Sequence, residues 1–412
     1  MRNNPFGMNL CKGAFNRRQF LSGTLAAATS FAVMEASKVR GTQANSRIEV
    51  GCIGLGGRGS LIAKMLMKHE GFRITSLADY FPEVVAKAGE RFGVPKNRCF
   101  SGLSGYKKLI DSKVDAVFCE TPPYCFPEHV SAAVGAGCHV YLAKPVACDV
   151  PGCMTIAEMG KKATQTGKVL LVDFQMPTDP FIIESVKRVR KGDIGRLAML
   201  SSFYSDDGFR DPPRTATIES RLRHLVWVND VNLGGGMLVN ADIHAIDMAL
   251  WVAGATPTSA MGCSRVAKPD AHGDTAYVYS LTYQFDNGLI MNHRGEHLKN
   301  TKGFSCGCFA YGCRGYLEAN YEGRAWVHGV NKAYRGGQVT NLYVDGIKRN
   351  LDKFHHCIVA GIYDNQTVQS SVNSTLAAIL GRQAARRNTL VTWDEMIKEN
   401  EKLEVDLTGL RQ

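Results

Sequence analysis

The run "RIEVGCIGLGGRGSLIAKMLMKHEGFRITSLAD", Arg47 to Asp79, constrains this chain more than any other stretch. Ile48 to Ile53 is apolar enough for a buried strand, and after a glycine turn Leu61, Ile62, Met65 and Leu66 recur on one helical face. A second strand, "FRITSLAD", follows. Strand, glycine turn, helix and strand make a βαβ unit, the crossover that a parallel pair of strands needs. Gly54, Gly56 and Gly59 fit the pattern G-x-G-x-x-G. The first glycine permits the tight turn and the second lets backbone approach a pyrophosphate. The third lets helix and strand pack closely, with the helix N-terminus facing the anion. Asp79 lies twenty residues after Gly59, at the strand end where an acid would bind a ribose 2′-hydroxyl. Tyr80 and Phe81 follow it with no neighbouring Arg for a 2′-phosphate, so NAD is expected over NADP. The plainer alternative, an ordinary glycine turn and a strand-end Asp, fits this βαβ setting less well.

The alternation continues through "VDAVFCETPPYCFPEHVSAAVGAGCHVYLAKPVA". It reads as a strand from Ala116 to Glu120, a helix around His129 to Gly135 and a strand from His139 to Leu142. Alternating strands and helices predict a doubly wound parallel sheet with its ligand at the carboxyl ends of the strands. "TPP" (Thr121 to Pro123) and "KP" (Lys144, Pro145) both lie at such ends, where proline costs no ladder bond and stiffens the loop.

The glycine loop, Asp79, "ETPP", His129 and "GAGCHVYLAKPVA" together resemble the glucose–fructose oxidoreductase and inositol dehydrogenase family. The resemblance implies an α/β fold: an N-terminal Rossmann domain with a doubly wound parallel sheet, then an α/β domain on a large, mainly antiparallel sheet. The expected divisions are a signal and tail over 1–45, the NAD-binding domain over 46–172 and a substrate and oligomerisation domain over 173–412. The last helices could pack back on the first domain. Gly54, Leu55, Gly56, Gly57, Arg58, Gly59, Asp79, Thr121, Pro122, His129 and Lys144 form the candidate cofactor site. Lys144 matches the family's lysine of a Glu-Lys-Pro motif beside the nicotinamide and the substrate. Ala143 stands where the family has that glutamate.

In the second half, "NLGGGMLVNADIHAIDMALWVAG" sets three glycines before a helix. Asn240, His244 and Asp247 are three or four residues apart, hence near one helical face. The resemblance implies that His244 takes a hydroxyl proton; the family's first aspartate is Asn240 here, and its glycine is Asp242. A lone His on a helix is otherwise more often packing than chemistry, so this assignment rests on the motif. Upstream, Arg221, Arg223, His224, Trp227 and Asp230 gather beside the glycine turn. An aromatic among hydrogen-bonding groups suits a carbohydrate, and a solvated helix face is the alternative reading. Lys144 and His244 are the candidate catalytic residues; Asn240, Asp247, Arg223, Trp227 and Asp230 are the candidate substrate contacts.

The 412 residues carry a formal charge of +11, but lysine and arginine are spread along the chain and no nucleic-acid motif appears, so nucleic-acid binding is not expected. No metal is expected either. Of the thirteen cysteines, Cys306, Cys308 and Cys313 come closest together, at spacings that do not suit zinc. At the front, "NRRQFLSGTLAAATSFAV" has the layout of a twin-arginine signal: paired arginines, an apolar run too short to span a bilayer, then small residues. Cleavage could follow Ala36 or Ala44. A protein exported to the periplasm or a similar compartment is expected, with no stable membrane insertion and, by resemblance, a homo-oligomeric state. The expected activity is NAD-dependent oxidation of a secondary hydroxyl on a sugar or cyclitol, with tightly bound cofactor. A redox-neutral glycosidase or lyase working through a keto-sugar is the alternative, and a non-catalytic dinucleotide and carbohydrate binder is a second.

Overall fold

The computed structural model describes residues 47–211, 218–268, 272–299, 303–330 and 333–412; the twin-arginine segment lies outside them. Six parallel strands form the first sheet: β1 (Ile48–Ile53), β2 (Phe72–Asp79), β3 (Cys99–Ser101), β4 (Ala116–Cys119), β5 (His139–Ala143) and β6 (Leu170–Asp173). Their order is β3-β2-β1-β4-β5-β6, so the topological switch falls between β1 and β4. The helix Gly57–Lys68 buries Ile62, Ala63 and Leu66 against this sheet, while Leu61 and Met65 are partly buried at its edge.

The second sheet has nine strands. They are β7 (Leu197–Asp206), β8 (Ser259–Arg265), β9 (Val278–Gln284), β10 (Ile290–His297), β11 (Ser305–Gly312), β12 (Gly315–Asn320), β13 (Gly323–Gly329), β14 (Ala333–Val339) and β15 (Val391–Thr392). The order is β14-β13-β12-β11-β7-β10-β9-β8-β15, antiparallel throughout except that β10 and β7 run parallel. The turn Asp286–Asn287–Gly288 joins β9 to β10 as a hairpin, with Gly288 in the left-handed region that such a turn requires.

The helix Ile243–Ala253 is apolar on nearly every side because it is covered on nearly every side. It lies between β7 and β11 and the long helix Gln366–Arg387. The helix Leu342–Ala360 returns to the first sheet, where Phe354 packs on Phe72, Phe118 and Tyr141. Cys306 and Cys308 are buried on β11 and Cys313 is exposed. Among the described residues no cluster of His, Cys, Asp and Glu could hold a metal, and no helix is long and apolar enough to cross a membrane.

Candidate active site

A cavity of about 730 Å³ opens at the carboxyl ends of the first sheet and runs to the helix turn of the second. Gly54, Gly56, Gly57, Arg58, Gly59, Asp79, Thr121, Pro122, His129 and Lys144 all line it. Gly54 has φ +87°, and a Cβ there would stand 2.6 Å from the Glu120 carbonyl carbon, so β1 and β4 can approach only with glycine at this position. A Cβ on Gly56 or Gly57 would enter open space. The helix beginning at Gly57 has no side-chain cap and no acid in its first turn. Uncapped amides beside open space suit the pyrophosphate of a dinucleotide. Leu55 contributes backbone alone: its side chain is buried, and its N–H donates to Asp79 Oδ2 at 2.7 Å.

Asp79 Oδ1 also accepts from Phe81 N, at 3.0 Å. The sequence offers no arginine near this acid, but the fold brings one from the second half. Arg223 lies 3.6 Å over the Phe81 ring and pairs with Glu83 at 2.6 Å. It therefore stands on the wall of the Asp79 end, and its guanidinium is already engaged. His129 is buried under Tyr106, and burial lowers its imidazole to about 4; Thr121 Oγ1 lies 3.3 Å from Nδ1.

At the other end of the cavity, Lys144 Nζ donates to the Asn240 carbonyl at 2.5 Å. Burial, then the nearby Arg58 charge, lowers the Lys144 amine to about 7. The same influences, with Lys144 added, hold the His244 imidazole well below its ordinary value. His244 Nδ1 has no hydrogen-bond partner, and its ring packs against Phe174 and Tyr321. Arg58, expected among the cofactor contacts, turns its guanidinium to Asp173 and Glu120. Neither acid is singled out by residue type alone; both stand just where a strand ends, the one signal that points to them.

Asn240 and Asp247 do not share the face that α-helical spacing predicts. Residues Leu238–Asp242 form a π turn, and the regular helix starts only at Ile243. Asn240 and His244 reach the cavity and Asp247 does not; within the regular helix a step of three residues turns Asp247 roughly 60° away from His244, toward the helix Gln366–Arg387. The Asp247 carboxylate instead accepts from Ser374 Oγ at 2.7 Å on the neighbouring helix, where burial raises it to about 7. Asp230, also expected to touch substrate, caps the short helix Val231–Gly234 through Asn232 N and Leu233 N and pairs with Arg221 at 2.6 Å. Trp227 and His224 do line the cavity, joined by Tyr204, Phe304 and Tyr321, which come from distant parts of the sequence.

Residues 48–174 match the oxidoreductase family with an NAD-binding Rossmann fold, and residues 184–318 match the GFO/IDH/MocA C-terminal domain. The chain is 25% identical over 247 residues to scyllo-inositol 2-dehydrogenase (NAD(+)) of Bacillus subtilis (strain 168), covering 59% of this chain and 65% of that protein. It is 24% identical over 164 residues to Glycosyl hydrolase family 109 protein 2 of Phocaeicola vulgatus, covering 39% of each. Thus the chain spans less than two thirds of either relative. The crystal structure of myo-inositol 2-dehydrogenase from Lactobacillus plantarum has the same fold, with a TM-score of 0.66 at 22% identity over 84% of this chain and 99% of that one.

Proposed function

The chain belongs to the GFO/IDH/MocA oxidoreductase family, and on that premise we propose that it oxidises a secondary hydroxyl of a sugar, sugar derivative or cyclitol with NAD held tightly in the cavity. The nicotinamide would supply the hydride acceptor. The backbone amides of the glycine loop would hold the pyrophosphate, and Asp79, Thr121 and Pro122 would flank the rest of the nucleotide. The observation that carries this reading is the meeting of Lys144 and His244 at one end of a cavity whose other end is the glycine loop. A hydroxyl gives up hydride from its carbon only as its proton is withdrawn. With its amine near 7, Lys144 is the better acceptor, and neutral His244 orients the hydroxyl through the unpartnered Nδ1. Trp227 offers an apolar face to a sugar ring.

The test is to release and identify the nucleotide from purified protein, then mix the holoprotein with free sugars, inositols and aryl glycosides. Lasting NADH absorbance is the expected result. Protein that carries no nucleotide and turns over nothing on the panel would overturn the reading.

A redox-neutral glycosidase cycle is the second reading, supported by the similarity to a family 109 glycosyl hydrolase protein and by the chain's last described segment. Leu407 lines the cavity, the Arg411 carbonyl accepts from Leu103 N at 2.9 Å, and the Glu404 carbonyl accepts from Asn232 Nδ2 at 2.8 Å. A strap joining both halves of the molecule beside the nucleotide groove would slow cofactor exchange. Released aglycone without net NADH would select this cycle.

Export belongs to the same proposal, since the twin-arginine route carries folded proteins and so lets NAD cross inside the domain. Replacing Arg17 and Arg18 by Lys should strand the protein in the cytoplasm. We also propose a homo-oligomer. Ile290, Met199, Tyr311 and Tyr316 are exposed and pair across four neighbouring strands, an apolar row suited to a second copy. Light scattering should give a mass above 45.1 kDa.

A further inference from the structure

Among the described residues, every arginine and lysine that lines the cavity is already engaged. Arg58 pairs with Glu120 and Asp173, Arg223 pairs with Glu83, and Lys144 Nζ donates to the Asn240 carbonyl. Burial lowers the His129 and His244 imidazoles, so neither adds a charge near neutrality. Glu322, an exposed acid, stands on the same lining. A ligand with a carboxylate or a phosphate beside its reacting hydroxyl would bring a charge into this space and find no free lysine or arginine to meet it.

What the cavity does offer is a row of rings. His244, Tyr321, Phe304 and Tyr204 follow one another edge to face, with centroids 5.4, 5.6 and 5.7 Å apart along the row. They come from the helix Ile243–Ala253, the residue after β12, the residue before β11, and β7. The Tyr321 N–H donates to the Cys306 carbonyl at 2.7 Å, which fixes its ring beside Phe304. The Tyr321 hydroxyl donates to Gln175 Oε1 at 3.1 Å and the Tyr204 hydroxyl donates to Asp206, so the cavity meets their rings. Both tyrosines are buried, whereas Phe304 is 47% exposed. A single exposed apolar side chain is ordinary on an outer surface. This one lies on the lining of the cavity that holds Lys144 and His244, held edge-on by two neighbours with its own surface open.

We infer that the substrate is an uncharged glycoside with an aromatic aglycone, and that Phe304 is the residue that selects it. This rests on the reading that Lys144 and His244 act on a sugar hydroxyl. With that hydroxyl at His244, the sugar ring lies along Tyr321, one ring further on. The substituent on the far side of the sugar then reaches Phe304, one ring further again. A free sugar or a cyclitol ends at Tyr321 and leaves Phe304 in water. An aromatic aglycone covers it, and paired aromatic rings gain more than the area they bury.

Calorimetric titration of the full chain loaded with NADH tests this as binding, with the methyl and phenyl glycosides of glucose, galactose and mannose in both anomers. At least one phenyl glycoside should bind about tenfold or more tightly than its methyl counterpart. Phe304→Ala should bring that ratio near one, and Phe304→Tyr should keep it. Should the alanine variant not fold, Phe304→Leu, which keeps bulk but no ring, should lower the ratio. Glucuronate should bind no better than glucose. Phenyl glycosides that bind no better than methyl ones, a ratio that survives loss of the ring at 304, or tighter binding of glucuronate would overturn the inference. Turnover separates it from the reading beneath it. Oxidation of inositols or free sugars with no phenyl preference sinks the inference alone. Phenyl glycosides that bind with the preference yet give neither NADH nor released aglycone sink the oxidoreductase reading alone.

Discussion

Two buried charge clusters, one lining the cavity and one holding the π turn that carries Asn240, differ in which groups pair their acids. On the cavity side, Arg58, Glu120 and Asp173 leave one carboxylate oxygen unmatched. On the sheet side, Asp242 Oδ1 meets His297 Nε2 at 2.9 Å, while Oδ2 lies 3.3 Å from His293 Nε2 without a hydrogen bond between them. Each histidine has a second partner, Asp206 at 2.7 Å for His297 and Ser202 at 2.9 Å for His293. Burial opposes charge here too. Even so, Asp242 and Asp206 hold His297 up at about 10, and His297 and His293 hold the Asp242 carboxyl below its usual range. Asp242 and His297 therefore stay charged near neutrality and act as a strut that fixes the π turn to β10. On the cavity side, burial raises the Glu120 carboxyl to about 8 and lowers the Lys144 amine to about 7.

The largest effect on turnover should come from the cavity side with little change in stability. Lys144→Met should lower kcat/KM by about 10²–10⁴-fold while the melting temperature stays as it was. The wild-type oxidation rate should rise with pH through about 7, because only the neutral amine can accept the hydroxyl proton. On the strut side the order reverses. Asp242→Ala strands two buried histidines and should cost about 3–5 kcal/mol of stability, read by chemical denaturation.

Gly295→Ala is a milder probe of the same strut. It lies between the two histidines on β10, and a Cβ there would collide with Asp242 Oδ2; about 1–3 kcal/mol is the expected loss. The smallest effect on turnover is expected at Asp247. Its carboxyl is raised from 3.8 to about 7 in the folded chain, so its contribution to stability is present below about pH 4 and is lost as pH rises to 7. Asp247→Asn should flatten that part of the stability profile, and turnover should be unchanged because the side chain does not reach the cavity.

The first half of the site was legible because its signals are local. Gly54, Gly56, Gly59 and Asp79 belong to one βαβ unit, and Lys144 follows the next strand of the same sheet. Chain direction alone sends strand ends to one edge, so residues there meet a common ligand. The second half was read less well. Helical spacing put Asp247 beside His244; the three-residue step instead turns Asp247 toward Ser374 on the neighbouring helix. Asp230, a candidate substrate contact by its place near the glycine turn, caps the helix Val231–Gly234. The absence of an arginine after Asp79 held in sequence but not in space, where Arg223 arrives to pair with Glu83, 140 residues before it.

The sequence by itself determined the parallel sheet, the dinucleotide loop, the position of Lys144 and the family, since each depends on residues within a few turns of one another. Only the tertiary structure decided which acids face Arg58, which oxygen of Glu120 is left open, and which histidines hold Asp242. Those pairings join separate strands and helices, and their distances follow from strand order and register, which local spacing does not encode.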